Sequence, residues 1–167
     1  MPASRDDLFQ RFASLGIVTT TRDHAPVFTV EEAKALRGEI PGGHCKNLFL
    51  KDDKDAIWLL VCLEEARIEL KSVPALIGSR RLSFGKPQLL MDVLGVEPGS
   101  VTPFAVINDV SVRAIVVLDE PMMTHPLLNY HPLRNDATTS IASADLVGFI
   151  RSCGHQPRIA RFSTGSL

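Results

Sequence analysis

Gly42-Gly43-His44-Cys45-Lys46-Asn47 sets a lysine and a carboxamide just after paired glycines, where a strand is about to begin. Glycines let a backbone approach a ligand closely, and a lysine at a strand mouth is a point charge suited to a phosphate. The same residues also fit a flexible loop ending in a solvated lysine. Pro98-Gly99-Ser100-Val101-Thr102-Pro103 holds a glycine between prolines. Such a rigid turn can aim backbone N–H groups outward as an anion or oxyanion site. An ordinary helix-to-strand turn has the same composition. His131 stands before Pro132, with His125-Pro126 upstream. A histidine before a proline is held extended, and imidazole suits proton handling or a carbonyl contact, although a loop histidine is often structural. Ser79-Arg80-Arg81 is the sharpest cationic pair, fit to grip phosphates or to be solvated.

Several common chemistries are missing from the local sequence. It has no Gly-x-Ser-x-Gly elbow, Walker loop, dinucleotide Gly-x-Gly-x-x-Gly, Cys-x-x-Cys or His-Glu-x-x-His. His44, Cys45, His125, His131 and His155 are metal-donor types, but their spacing matches no ligand pattern. Cys45 beside His44 is a poor catalytic pair, because adjacent strand residues point to opposite faces.

These stretches need elements to hold them. Leu8, Phe9, Phe12 and Leu15 recur at helical spacing over Asp6–Leu15, with Ser4 as N-cap and Gly16 as stop. Ile17–Thr21 reads as a short strand. Thr29-Val30-Glu31-Glu32 fits a capping box opening a helix to about Arg37, closed by Gly38. Cys45–Leu50 and Ala56–Leu63 flank the charged turn 51–55 and predict a hairpin whose second strand is buried on both faces. Glu64–Lys71 fits a short helix and Arg81–Phe84 a strand. Pro87 opens the helix Gln88–Leu94, which Gly95 closes. Phe104–Ile107 and Val112–Asp119 read as a second strand pair, Ala144–Ser152 as an amphipathic helix, and Arg158–Phe162 as a last strand. Hairpins among scattered helices favour an α+β fold over regular βαβ alternation.

The chain has 167 residues, 45% hydrophobic and 22% charged, consistent with one domain over 1–167. Lys+Arg 18 against Asp+Glu 19 excludes a histone-like nucleic-acid binder but not a local basic patch. Three cysteines at no disulfide-like spacing and a polar Met1–Gln10 predict a reduced cytoplasm without a signal peptide. The longest apolar run, Ala56–Leu63, is too short for a membrane span.

Together, the ordered stretches resemble the free-standing aminoacyl-tRNA editing deacylases related to the insertion domain of prolyl-tRNA synthetase. The similarity is greatest to the branch that hydrolyses alanyl-tRNA(Pro). It rests on Pro26–Ala33, Gly43–Leu50, Arg81–Phe84, Leu94–Phe104 and His131-Pro132-Leu133. The resemblance implies a mixed, partly barrel-like β-sheet surrounded by helices, with no cofactor and no metal. It assigns the site to Lys46, Asn47, the loop Gly99, Ser100, Val101, Thr102 and Pro103, and His131. Lys46 would meet the terminal phosphate or ribose, the loop amides the ester or oxyanion, and Asn47 and His131 would orient the substrate. Ile17, Val18 and Phe28 are candidates for the wall of a small amino-acid pocket, with plain core packing as their other reading. Lys51, Arg80 and Arg81 are candidates for the acceptor stem. The implied partners are mischarged tRNA(Pro) and, transiently, prolyl-tRNA synthetase. A deacylase for cysteinyl-tRNA(Pro) or seryl-tRNA, or a non-catalytic tRNA-binding module, are the competing expectations.

Overall fold

The computed structural model describes residues 2–26 and 30–164. The apolar run expected to be buried on both faces, β3 (Ile57–Leu63), lies inside a mixed sheet. It is flanked by antiparallel β2 (Gly43–Asp52) and parallel β5 (Ala114–Asp119). With β1 (Thr20–Asp23), β4 (Leu82–Phe84), β6 (Leu127–Tyr130), β7 (Ala137–Ala142) and β8 (Arg158–Ala160), the path runs β1-β7-β6-β2-β3-β5-β8. β4 pairs separately with β2. The sheet is open, with β1 and β8 at its ends, so the expected α+β mixed sheet holds without barrel closure.

Alternation along β3 feeds separate cores. Ile57, Leu59 and Val61 join Phe12, Phe104 and Phe149, while Trp58, Leu60 and Cys62 join Val73, Ile77, Leu82 and Phe162. In the main core the rings of Phe12, Phe104 and Phe149 meet with centroids 5.1–5.6 Å apart. They come from α1 (Arg5–Ser14), the 3₁₀ segment Pro103–Asn108 and α5 (Ser143–Ser152). Truncating such a ring to Ala costs about 3–5 kcal/mol.

Local rules explain most boundaries. Ser4 and Asp7 form the capping box that starts α1. Pro87 opens α4 (Pro87–Leu94), and Gly95 ends it at φ +66°. A Cβ on Gly95 would sit 2.8 Å from Nδ2 of Asn108, which donates to the Leu94 carbonyl at 2.8 Å. α2 is Val30–Glu39 and α3 is Val73–Ile77; Thr29, the expected cap of α2, lies outside the described residues.

Other expectations are corrected. The first strand begins at Thr20, because Ile17 is still tied to the end of α1 through its N–H to the Phe12 carbonyl. Glu64–Lys71 is not a helix: Ala66, Ile68 and Leu70 alternate onto the second core, a period of two that fits an extended strap. Phe104–Ile107 is 3₁₀, because Pro103 opens a turn there and Thr102 Oγ1 accepts the Phe104 N–H. β6 and β7 had no sequence signal strong enough to stand out.

The partners of β2 change along its length. β6 pairs only with Gly43 and His44, and β4 joins only from Leu50. Between them, this edge of β2 has no strand neighbour among the described residues, so the sheet is split at Lys46 and Asn47. No helix among the described residues is long and apolar enough to cross a membrane.

Candidate active site

The split is framed by a simple register. β2 and β6 run parallel, with Gly43 opposite Leu128 and His44 opposite Asn129. The ladder ends there; counted on at the same offset, Lys46 falls at the register of His131, the first residue after β6. Consecutive strand residues face opposite ways, so Lys46 and Asn47 diverge. Lys46 lies opposite Cys62 on the second-core side, half-buried, and its Nζ donates to the Ala66 carbonyl at 2.6 Å. Asn47 lies opposite Val61, and its buried Oδ1 accepts no hydrogen bond from a described residue. An unsatisfied buried acceptor costs about 1–3 kcal/mol, so its retention calls for a reason.

His131 Nδ1 lies 2.9 Å from the Ala137 carbonyl. A carbonyl only accepts, so Nδ1 carries the hydrogen and the neutral ring keeps its lone pair on Nε2. Burial pushes the His131 pKa below the usual histidine value and the nearby His24 adds to this; the Ala137 carbonyl and Asp136 oppose it. The net effect favours neutral imidazole. His24 escaped the sequence reading. Its ring centroid is 6.5 Å from that of His131, and its Nε2 lies 2.8 Å from Thr138 Oγ1.

The Gly99–Pro103 loop opens with the 3₁₀ turn Pro98–Ser100. Ser100, Thr102 and Pro103 are buried, Val101 packs on the main core, and Gly99 is exposed. A Cβ on Gly99 would stand 3.4 Å from Nδ2 of Asn135. Val96, Glu97 and Ser100 share a cavity of about 280 Å³ with Leu133, Arg134 and Asn135. The chain reverses just after His131: Leu133 has φ +73° and donates its N–H to the His131 carbonyl at 2.9 Å. The turn that carries His131 therefore also backs the Gly99 loop, while the Lys46 side chain lies on the second-core side of β2.

The pocket candidates separate. Ile17 is partly buried against the main core, Val18 lines a cavity of about 400 Å³, and Phe28 lies outside the described residues. That cavity also has Thr20, Arg22, Ile40, Thr138 and Ser140 around it, on the face that carries His24 and His131. Lys51, Arg80 and Arg81 gather at the far end of β2. Lys51 pairs with Ser83, and the Arg81 carbonyl accepts the Asp53 N–H at 3.1 Å. The Cys45 thiol is no nucleophile: burial pushes its pKa up to about 12, and His44 turns away to the Ile40 carbonyl at 2.9 Å. No metal-competent group of His, Cys, Asp or Glu occurs among the described residues.

Comparison with known proteins gives this geometry a family. Residues 24–149 match the model of the aminoacyl-tRNA editing domain. The chain is 35% identical over 164 residues to prolyl-tRNA synthetase associated domain-containing protein 1 of Bos taurus, covering 95% of each chain. It is 31% identical to the prolyl-tRNA editing protein ProX of Acetoanaerobium sticklandii, covering 91% of this chain and 93% of that protein. A solved structure described as a candidate trans-editing enzyme for prolyl tRNA synthetase superposes with a TM-score of 0.70 at 18% identity, covering 96% of this chain and 99% of that one. The chain belongs to the aminoacyl-tRNA editing domain family and is similar over nearly its whole length to prolyl-tRNA synthetase-associated editing-domain proteins.

Proposed function

We propose that this protein is a trans-editing deacylase that hydrolyses the ester of alanyl-tRNA(Pro) and so clears a prolyl-tRNA synthetase error. The observation that carries the reading is the split sheet, with Lys46 on β2 beyond the last β2–β6 pair, His131 just after β6, and the Gly99 loop braced by the turn after His131. Family membership supplies the substrate class.

An aminoacyl ester is already reactive, so positioning and charge stabilisation do most of the work. Water attacks the ester carbonyl, the bond to the ribose oxygen breaks, and alanine and free tRNA leave. Lys46 holds the phosphate or ribose of the terminal nucleotide; its bond to the Ala66 carbonyl leaves ammonium hydrogens free for this. Backbone amides of Gly99, Val101 and Thr102 face the ester and its developing oxyanion; the Ser100 N–H closes the turn on the Glu97 carbonyl at 2.9 Å, and Pro103, lacking an N–H, stiffens the loop. Asn47 and the neutral His131 orient the ribose hydroxyl beside the ester, and that hydroxyl directs the water. Selectivity comes from size. A pocket that fits alanine meets the larger prolyl ring with overlap, which discriminates more strongly than the ~1–3 kcal/mol of attraction an extra methylene offers. Lys51, Arg80 and Arg81 contact phosphates of the acceptor stem. The free tRNA passes back to the synthetase after a transient encounter.

The test is a panel of alanyl-, cysteinyl-, seryl- and prolyl-tRNA incubated with wild type and Lys46→Ala. Hydrolysis of alanyl-tRNA(Pro), lost in Lys46→Ala and slowed by a 2′-deoxy terminal adenosine, is the expected result. Preference for another charged tRNA would reassign the substrate, and a band shift without hydrolysis would make the protein a binding module.

A further inference from the structure

Phe84 is 63% exposed, and among the described residues it is the exposed phenylalanine. It ends β4 opposite Leu50. Gly85 is pressed against the Phe49 ring, donating its N–H to the Phe49 carbonyl at 2.9 Å, so a side chain there would collide with that ring. Phe49 thus fills the main core from inside, while Phe84 is held outside, largely exposed. Leu82, two residues earlier on the same side, is buried in the second core, which marks Phe84 as the point where that apolar face emerges into solvent.

Its surroundings are cationic. Lys51 and Ser83 are cross-strand neighbours one pair further along, facing the other side of the strand, where Lys51 lies 3.9 Å from the Asp55 carboxylate. Arg80, Arg81 and Lys86 are exposed, and no described carboxylate lies within ion-pair distance of them. Asp52, the acid nearest in register, is buried and occupied with N–H donors. An exposed aromatic beside the unpaired Arg80, Arg81 and Lys86 matches the chemistry of single-stranded nucleic acid, whose bases stack on the ring while its phosphates meet the charges.

The order along β2 is specific. From Lys46 to the level of Leu50 and Phe84 is four residues, roughly 13 Å. That span corresponds to about four stacked nucleotides at the rise of a nucleic-acid strand. Beyond Phe84 come Arg81, whose carbonyl accepts the Asp53 N–H, and then Arg80. Leading away from the ester, the chain offers a stacking ring first and the exposed Arg81 and Arg80 beyond, as an RNA with a short unpaired 3′ end followed by a duplex would require.

We infer that Phe84 is the stacking platform for the unpaired 3′ nucleotides of the tRNA, between the hydrolytic site and the cations that hold the duplex. This rests on the tRNA reading proposed above. Its test is binding of an uncharged acceptor-stem RNA, with and without its unpaired 3′ nucleotides, to the full chain and to Phe84→Ala and Phe84→Trp, followed by fluorescence anisotropy. Phe84→Ala should weaken binding of the intact RNA by about five- to 150-fold, the range for losing one stacked base, with Phe84→Trp near wild type. The trimmed duplex should bind wild type and Phe84→Ala equally. Equal binding of intact RNA by wild type and Phe84→Ala, or an equal loss on both RNAs, would overturn the platform while leaving the deacylase reading standing. Failure of wild type to bind either RNA would overturn the tRNA reading itself.

Discussion

Oδ2 of Asp52 accepts a hydrogen bond from Nε1 of Trp58 at 3.1 Å, across the β2–β3 hairpin, and the backbone N–H of Arg80 at 3.3 Å. Its Oδ1 accepts the N–H groups of Lys54 and Ala56 at 3.0 and 3.1 Å. One buried carboxylate thus closes the hairpin turn and fixes the start of the segment that carries Arg80, Arg81 and Phe84. Burial alone would raise the Asp52 pKa, but the Trp58, Arg80, Lys54 and Ala56 donors together hold it below the usual carboxylate value.

Replacing Asp52 by Ala strands these donors and should cost about 2–4 kcal/mol. Because this chain has a single Trp, denaturant titration followed by Trp emission reads both effects at once: a lower midpoint and a shifted native spectrum. Asp52→Asn, which keeps an acceptor oxygen, should lose less. A native spectrum and midpoint unchanged in Asp52→Ala would contradict the bridge.

The lowered pKa of His131 sets a pH signature. Folding favours the neutral ring, so the unfolded chain binds the extra proton first. The stabilisation from neutral His131 is full above the unfolded value of about 6.5 and fades as pH falls through the lower folded value. The pH profile of kcat/KM for deacylation should therefore keep its acid limb below about 6.5. An acid limb above that value, or one that persists in His131→Asn, would place the titration elsewhere.

Burial pushes the pKa of both Cys45 and Cys62 up to about 12. At pH 7.5 the native thiols should alkylate with iodoacetamide far more slowly than the unfolded chain. Cys45→Ala should retain deacylase activity, since no step uses the thiol. Rapid native alkylation at Cys45 coupled to loss of activity would reverse that assignment.

Lys51→Ala, Arg80→Ala and Arg81→Ala should each weaken RNA binding and lower the slope of log K against log salt by about one. At saturating RNA the hydrolytic rate should stay near wild type, because these residues lie at the far end of β2 from Lys46. A salt slope unchanged in all of them would remove this surface from the interface.

The hairpin from β2 to β3, the cap of α1 and both ends of α4 were legible in the sequence because each follows from contacts within a few residues. Ser4 with Asp7, Pro87 and Gly95 need no distant partner to act. The candidate stretches around Lys46, Gly99, His131 and Arg80 were equally visible, since glycine, proline and charge punctuate a chain locally. β6 and β7 were not: Thr138, Thr139 and Ser140 look like loop residues until neighbouring strands pair with them and bury both threonines. Asp52 looked like one charge in a solvated turn, and only packing against Trp58 and the Arg80 segment made it an anchor. The split in the sheet, beside which Lys46 and His131 lie 85 residues apart in the chain, was decided by where β6 leaves β2 and β4 joins it. Residue types record local conformational preference, whereas long-range strand register is chosen by which apolar faces can be buried together, and that is settled only when the whole sheet packs.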